Sequence, residues 1–167
     1  SIVEYSENPG IYIFEAPMGC GKTETSLAAS EILASKCGKN GVFFGLPTQA
    51  TANGIFPRIL SWAEKQSTEF YHSVQLNHGS AVLNPLFQNI QRGIPQEESD
   101  SGLIIHNWFC DSKKACLADF VTATVDQMLM LALKRKHVML LHLGLSEKVV
   151  VIDEVHAYDA YMSEYLE

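Results

Sequence analysis

A parallel α/β fold is what this sequence predicts, and three observations predict it. Short apolar runs alternate with longer amphipathic stretches. A glycine-containing turn ending in Gly21-Lys22-Thr23 joins the first apolar run to the helical stretch behind it. A pair of carboxylates, Asp153-Glu154, closes the last apolar run. In open parallel sheets ligands gather beyond the carboxyl ends of the strands. Function is therefore expected in the segments that follow strands: 16–23, 47–53, 122–127 and 153–156.

The elements follow in order. Ile11-Tyr12-Ile13-Phe14 reads as a buried strand. Thr23 to Lys36 reads as a helix, with Leu27, Ala28, Ile32 and Leu33 near helical spacing and Gly38 as its stop. Val42 to Leu46 is a second strand. Pro47-Thr48 breaks the chain before a helix over Ala50 to Lys65, which Pro57 kinks or divides. Ser73 to Leu76 is a weaker third strand. Between 80 and 115 the pattern is poor, and residues 93–102 read as a polar, mobile loop. Cys116 to Thr122 reads as a fourth strand. Thr124-x-x-Gln127 is a capping box opening a helix through Leu133. Lys148 to Ile152 is the fifth strand, with Asp153 at its carboxyl end.

Composition narrows the class. The 167 residues are 47% apolar and 19% charged, one globular domain's worth. No apolar run approaches the roughly 18 residues that a membrane span needs, and no signal-peptide layout is present, so a cytoplasmic protein is expected. Cys20, Cys37, Cys110 and Cys116 have neither zinc nor redox spacing and read as free thiols of a reducing compartment. Cys20 lies inside the glycine-containing turn, where its oxidation would obstruct a ligand. The net charge of −7 argues against a surface that wraps nucleic acid, so any such contact must be local. The chain begins without Met and ends at Tyr165-Leu166-Glu167 inside a helical pattern, which reads as a piece of a longer protein.

The turn Ala16-Pro17-Met18-Gly19-Cys20-Gly21-Lys22-Thr23 has the strand-to-helix context of a phosphate-binding loop. Glycines let successive N–H groups point at phosphate oxygens, and the helix N-terminus adds partial positive charge. Lys22 brings a full charge to the β- and γ-phosphates, and the Thr23 hydroxyl suits Mg²⁺. Ala16 stands where the general pattern has its first glycine. Taken alone, the loop leaves a kinase open.

The second constellation is Asp153-Glu154-Val155-His156. Asp153 is placed to hold Mg²⁺ and Glu154 to orient and deprotonate an attacking water. His156 is a candidate sensor of the γ-phosphate. A kinase has no need of this set, because its nucleophile is a substrate hydroxyl.

Together these residues resemble a superfamily 2 helicase of the Asp-Glu-x-His type. More narrowly, they resemble the CRISPR-associated helicase-nucleases of type I interference, which the Cascade complex recruits. The resemblance rests on Glu15 to Glu24, Leu46 to Asn53, Trp108 with Lys113 to Ala118, Thr124 to Gln127, and Val149 to Asp159. It implies a RecA-like P-loop NTPase fold, a three-layer α/β/α sandwich with a mainly parallel sheet. Residues 1–167 would be the first of two such motor domains, truncated at both ends. ATP and Mg²⁺ would be held by Pro17, Met18, Gly19, Cys20, Gly21, Lys22, Thr23 and Glu24, with Lys22, Asp153, Glu154 and His156 catalytic. A second RecA-like domain would add arginines to the γ-phosphate, so this fragment alone should hydrolyse ATP very slowly. Nuclease chemistry would belong to a separate domain marked by a His-Asp pair, and no such dipeptide occurs in this chain.

The resemblance also implies movement along single-stranded DNA, 3′ to 5′, for antiviral defence. Pro47, Thr48, Gln49, Asn53, Thr124 and Gln127 are the candidate DNA contacts. Ala123 replaces the family's usual glycine before Thr124. Read without the family, Pro47 to Asn53 is an N-cap and first helical turn. Lys134-Arg135-Lys136-His137 reads as a solvated helix end, and Trp108 as a core residue or a base-stacking platform. A kinase and a non-hydrolysing ATP-binding switch remain as other readings.

Overall fold

The computed structural model describes residues 9–17, 19–66, 72–91, 103–105, 114–129, 138–158 and 164. Met18, Lys113, Trp108, Cys110, the 93–102 segment, the basic run at 134–137, Asp159 and the Tyr165 to Glu167 end lie outside the described residues.

Among the described residues, five parallel strands make one sheet. They are β1 (Gly41–Leu46), β2 (His72–Asn77), β3 (Leu103–Ile104), β4 (Phe120–Thr124) and β5 (Lys148–Ile152), in the spatial order β3-β2-β4-β1-β5. The helices are α1 (Lys22–Cys37), α2 (Gln49–Gln66), α3 (Pro85–Gln91), α4 (Val125–Leu129) and α5 (Val138–Ser146).

Alternation along the strands splits the core in two. Val42, Phe44 and Leu46 of β1, with Val74, Leu76 and Phe120, face one side. There they meet Leu27 of α1 and Ala52, Phe56, Ile59, Leu60 and Ala63 of α2. That spacing along α2 is one helical face. Phe43, Val121 and Ala123 face the other side, against Cys116, Ala118, Met128 of α4 and Leu141 and Leu145 of α5. A sheet covered on both faces by helices is the expected three-layer α/β/α sandwich. No helix among the described residues is long and apolar enough to cross a membrane.

Most element limits agree with the sequence pattern, and the departures have physical causes. Residues 9–17 carry no strand, and Ile11 and Ile13 are 95% and 81% exposed. Apolar residues alone do not make a strand. Its backbone groups need a neighbouring ladder, and among the described residues Ile11 to Phe14 has none. The fourth strand starts at Phe120 rather than Cys116, because Ala115–Leu117 is a 3₁₀ turn. The strand's start is set by Asp119. Its carboxylate accepts both the Ser73 N–H and hydroxyl (2.8 Å each), while its own N–H donates to Ser73 Oγ (2.9 Å).

On α1, Ala28 is exposed and Ser30 takes the buried place. The Ser30 hydroxyl makes that tolerable by donating to the Ser26 carbonyl (2.7 Å). Gly38 is the left-handed C-cap that the sequence indicates, with φ 61°. Pro57 sits inside a continuous α2, so the Asn53 carbonyl lacks its usual helical donor. The 3₁₀ turn Ala81–Leu83, α3 and β3 lie between 80 and 115, where the sequence pattern is poor, and α5 lies in a stretch to which that pattern assigns no element.

Candidate nucleotide site and polar rim

Strand register gathers the candidate segments at one edge of the sheet. Leu46 lies opposite Thr124, Gly45 opposite Ile152, and Asn77 opposite Ala123. The residues that follow β1, β2, β4 and β5 therefore emerge side by side, at the carboxyl ends where ligands collect.

The candidate phosphate-loop turn bends at both of its glycines. Gly19 and Gly21 have φ 78° and 80°, a left-handed conformation that costs glycine little. Gly21 is the N-cap of α1, so Lys22 and Thr23 open the helix. Lys22 Nζ donates to the Ala16 carbonyl (2.9 Å), spanning the turn. Cys20 is exposed and its thiol donates to the Pro17 carbonyl (2.8 Å). Glu24 is paired with Arg58, 3.6 Å off, and both are exposed. Such pairs contribute little.

Thr23 Oγ1 donates to Asp153 Oδ2 across 3.3 Å, between residues 130 positions apart. Asp153 continues β5, its N–H donating to the Gly45 carbonyl (3.0 Å). Its Oδ1 accepts the Glu154 N–H (2.8 Å). Glu154 has φ 55° and ψ 41°, the only non-glycine residue with positive φ among those described. Left-handed geometry at a residue with a Cβ is uncommon and collects at functional sites. Past Glu154, Val155–Ala157 is a 3₁₀ turn. His156 comes back to Glu154, Nε2 to Oε2 3.2 Å, and is largely exposed.

Tyr158 was not among the sequence candidates. It is buried, and its hydroxyl donates to the Asp153 carbonyl (2.8 Å). Burial first, and then the Asp153 and Glu154 charges, push its pKa upward, so it stays a donor. Tyr158 belongs to the segment that carries the resemblance, but no spacing rule gives it a role, and the folded turn reveals its bond to Asp153.

The sequence-derived DNA candidates lie along the same edge. Thr48 caps α2 reciprocally with Thr51: the Thr51 N–H donates to Thr48 Oγ1 (3.1 Å), and the Thr48 N–H to Thr51 Oγ1 (3.2 Å). That is the N-cap the residues suggest when read alone. Pro47 is half-buried and Gln49 exposed. Asn53 is half-buried, and its Oδ1 accepts from Asn84 Nδ2 (2.7 Å) and lies 3.2 Å from His78 Nε2. Thr124 is only 5% exposed at the end of β4, while Gln127 is half-buried on α4.

No protein-family model matches the chain. It is 57% identical over 169 residues to the CRISPR-associated nuclease/helicase Cas3 of Streptococcus thermophilus, covering 98% of this chain and 18% of that protein. The chain thus spans under a fifth of that relative's length. Among solved structures, T. fusca Cas3 with ATP superposes with a TM-score of 0.76 at 36% identity, over 90% of this chain and 16% of that one. A CRISPR RNA-guided surveillance complex in its pre-nicking state contains a chain similar at TM-score 0.57 and 32% identity, over 91% of this chain and 13% of that one.

Proposed function

We propose that this chain, which belongs as a segment to the CRISPR-associated nuclease/helicase family, is the ATP-binding first RecA-like domain of a single-stranded-DNA motor. The observation that carries the reading is the Thr23–Asp153 hydrogen bond. It joins the helix-opening end of a phosphate loop to a carboxylate at the end of β5, which is the juxtaposition a nucleotide–metal site needs. The likeness to a Cas3 solved with ATP supports nucleotide as the ligand.

On this reading Pro17 through Glu24 cradle the phosphates, and Lys22 exchanges the Ala16 carbonyl for phosphate oxygens. The Thr23 hydroxyl and Asp153 carboxylate are hard oxygen donors that fit Mg²⁺, which commonly takes one or two protein oxygens and completes its shell with phosphate and water. Bound there, Mg²⁺ would offset charge on the phosphate oxygens. Glu154 takes the proton of the attacking water, with the Asp153 side chain fixing its backbone and His156 steadying its carboxylate. Pro47, Thr48, Gln49, Asn53 and Gln127 form the DNA-facing rim, with Thr124, 5% exposed at the end of β4, behind them. A second RecA-like domain, a His-Asp nuclease domain and a Cascade-type complex are the partners. The likeness to a chain of a surveillance complex supports the last of these.

The test is phosphate release by the full-length enzyme with and without single-stranded DNA. Stimulation is expected, Lys22→Ala should abolish nucleotide affinity, and Glu154→Gln should keep binding while slowing turnover by about 10²–10⁴-fold. Labelled phosphate on an acceptor would instead make the protein a kinase. Binding without turnover, DNA and second domain present, would make it a switch.

A further inference from the structure

Asn53 stands in the proposed DNA rim, and the groups behind it fix which way its carboxamide points. Two backbone donors anchor the argument. The Leu86 and Phe87 N–H groups both donate to Asn84 Oδ1 (3.0 and 3.2 Å). The Asn84 carboxamide can then have only one orientation, with Nδ2 toward Asn53, so the Asn53 atom 2.7 Å away must be the acceptor Oδ1. Likewise the Ser80 N–H donates to His78 Nδ1 (3.2 Å). His78 Nδ1 is therefore unprotonated, the proton sits on Nε2, and Nε2 donates to the same Asn53 Oδ1 (3.2 Å).

Both lone pairs of Asn53 Oδ1 are taken, and its Nδ2 is turned away from the network. We infer that His78 and Asn84 are positioning residues for DNA: they lock the Asn53 carboxamide with its two N–H donors facing the strand's phosphates. A free asparagine on a helix would present oxygen as readily as nitrogen, and oxygen repels a phosphate. The orientation converts an ambiguous amide into a committed donor.

Two further observations agree. His78 is 7% exposed and Asn84 is buried, so the lock is shielded from competing water. Burial lowers the His78 pKa, which favours the neutral ring the arrangement needs. The same turn also backs Gln49, one helical turn before Asn53. A Cβ placed on Gly79 would meet Gln49 Nε2 at 3.3 Å. The 78–84 segment after β2 is thus a brace under two adjacent rim amides of α2.

The inference rests on the reading of Asn53 as a DNA contact, and one experiment separates the two. In the full-length enzyme, the concentration of oligo-dT giving half-maximal ATPase stimulation is measured for variants. Asn53→Ala should raise it roughly tenfold, the worth of a hydrogen bond to a charged acceptor. No change there would overturn the reading of Asn53 itself. His78→Ala should raise it by a similar factor, with the loss in half-stimulating concentration rather than in turnover at saturating DNA. His78→Gln should restore much of it, since the Gln Nε2 can donate to Asn53 Oδ1. Asn53→Ala/His78→Ala should be no worse than Asn53→Ala. An additive double variant, or a His78→Ala enzyme with unchanged DNA response, would overturn the positioning role.

Asn84→Asp guards against misfolding of the histidine variant. It keeps the volume and the oxygen that caps α3 while replacing the donor to Asn53 by an acceptor. It too should weaken the DNA response, and an unchanged response would overturn the inference.

Discussion

Glu154 holds the least comfortable backbone in the site, and three contacts explain why it stays there. The Asp153 side chain accepts its N–H, His156 meets its carboxylate, and Tyr158 ties the Asp153 carbonyl. A left-handed residue with a Cβ costs about 1–2 kcal/mol, a cost this turn must over-determine. Tyr158→Phe removes one tie and keeps the ring. It should lower stability by about 1 kcal/mol, seen in denaturant unfolding, and reduce turnover less than Glu154→Gln does. Equal turnover in Tyr158→Phe and wild type would show that the tie does not position Glu154, the proposed base. His78 gives a second prediction at this scale. Its folded pKa lies below the ordinary imidazole value, so below about pH 6.5 the unfolded chain binds the proton that the folded chain refuses. Stability contributed by the neutral ring is therefore full above that pH and falls as the solution is acidified. His78→Gln, which does not titrate, should flatten the loss between pH 6.5 and 5 in a series of denaturation curves.

Glycine shows how an element's context can reverse a propensity. Gly144 lies in α5, where replacing an exposed helical glycine by alanine would normally stabilise by about 1 kcal/mol. Here the residue is buried, and a Cβ would run into the Cys116 carbonyl of the 3₁₀ turn ahead of β4. Backbone cannot yield as a side-chain tip can. Gly144→Ala should destabilise by roughly 1–3 kcal/mol, as overpacking does, and a stabilised variant would refute the close approach. The contact was invisible in sequence, and the reason is general. Local signals fixed the elements whose limits are set locally: β5 through its valines, α1 through Gly21 and Gly38, and α2 through the Thr48 cap. They failed where a distant partner decides. Ile11 to Phe14 has the composition of a strand and, among the described residues, no ladder to join. Cys116 and Leu117 have strand character but belong to a turn that ends where Asp119 grips Ser73. The motif residues of the proposed nucleotide site could be singled out because phosphate chemistry imposes a spacing. Tyr158, His78 and Asn84 were not, because they act through other side chains at separations no pattern encodes.

At the scale of the whole molecule, an acidic chain presents a proposed nucleic-acid edge made of neutral groups. The net charge is −7, and the rim candidates Thr48, Gln49, Asn53, Thr124 and Gln127 carry no charge. A lysine or arginine on a phosphate releases condensed counterions and steepens the fall of log K with log salt by about 0.9 per duplex phosphate, or 0.7 on a single strand. A carboxamide donating to the same phosphate adds a hydrogen bond and releases no counterion. Neutral donors also let a motor hold a strand without the strong electrostatic grip that resists stepping. Gln49→Ala and Asn53→Ala should therefore lower single-stranded-DNA affinity of the full-length enzyme at every salt concentration, leaving the slope of log K against log salt unchanged. The measurement is a titration of labelled oligo-dT across a series of salt concentrations, wild type beside each variant. A slope shallower by about 0.7 in either variant would mean that the amide holds a cationic side chain on the phosphate, rather than contacting it directly.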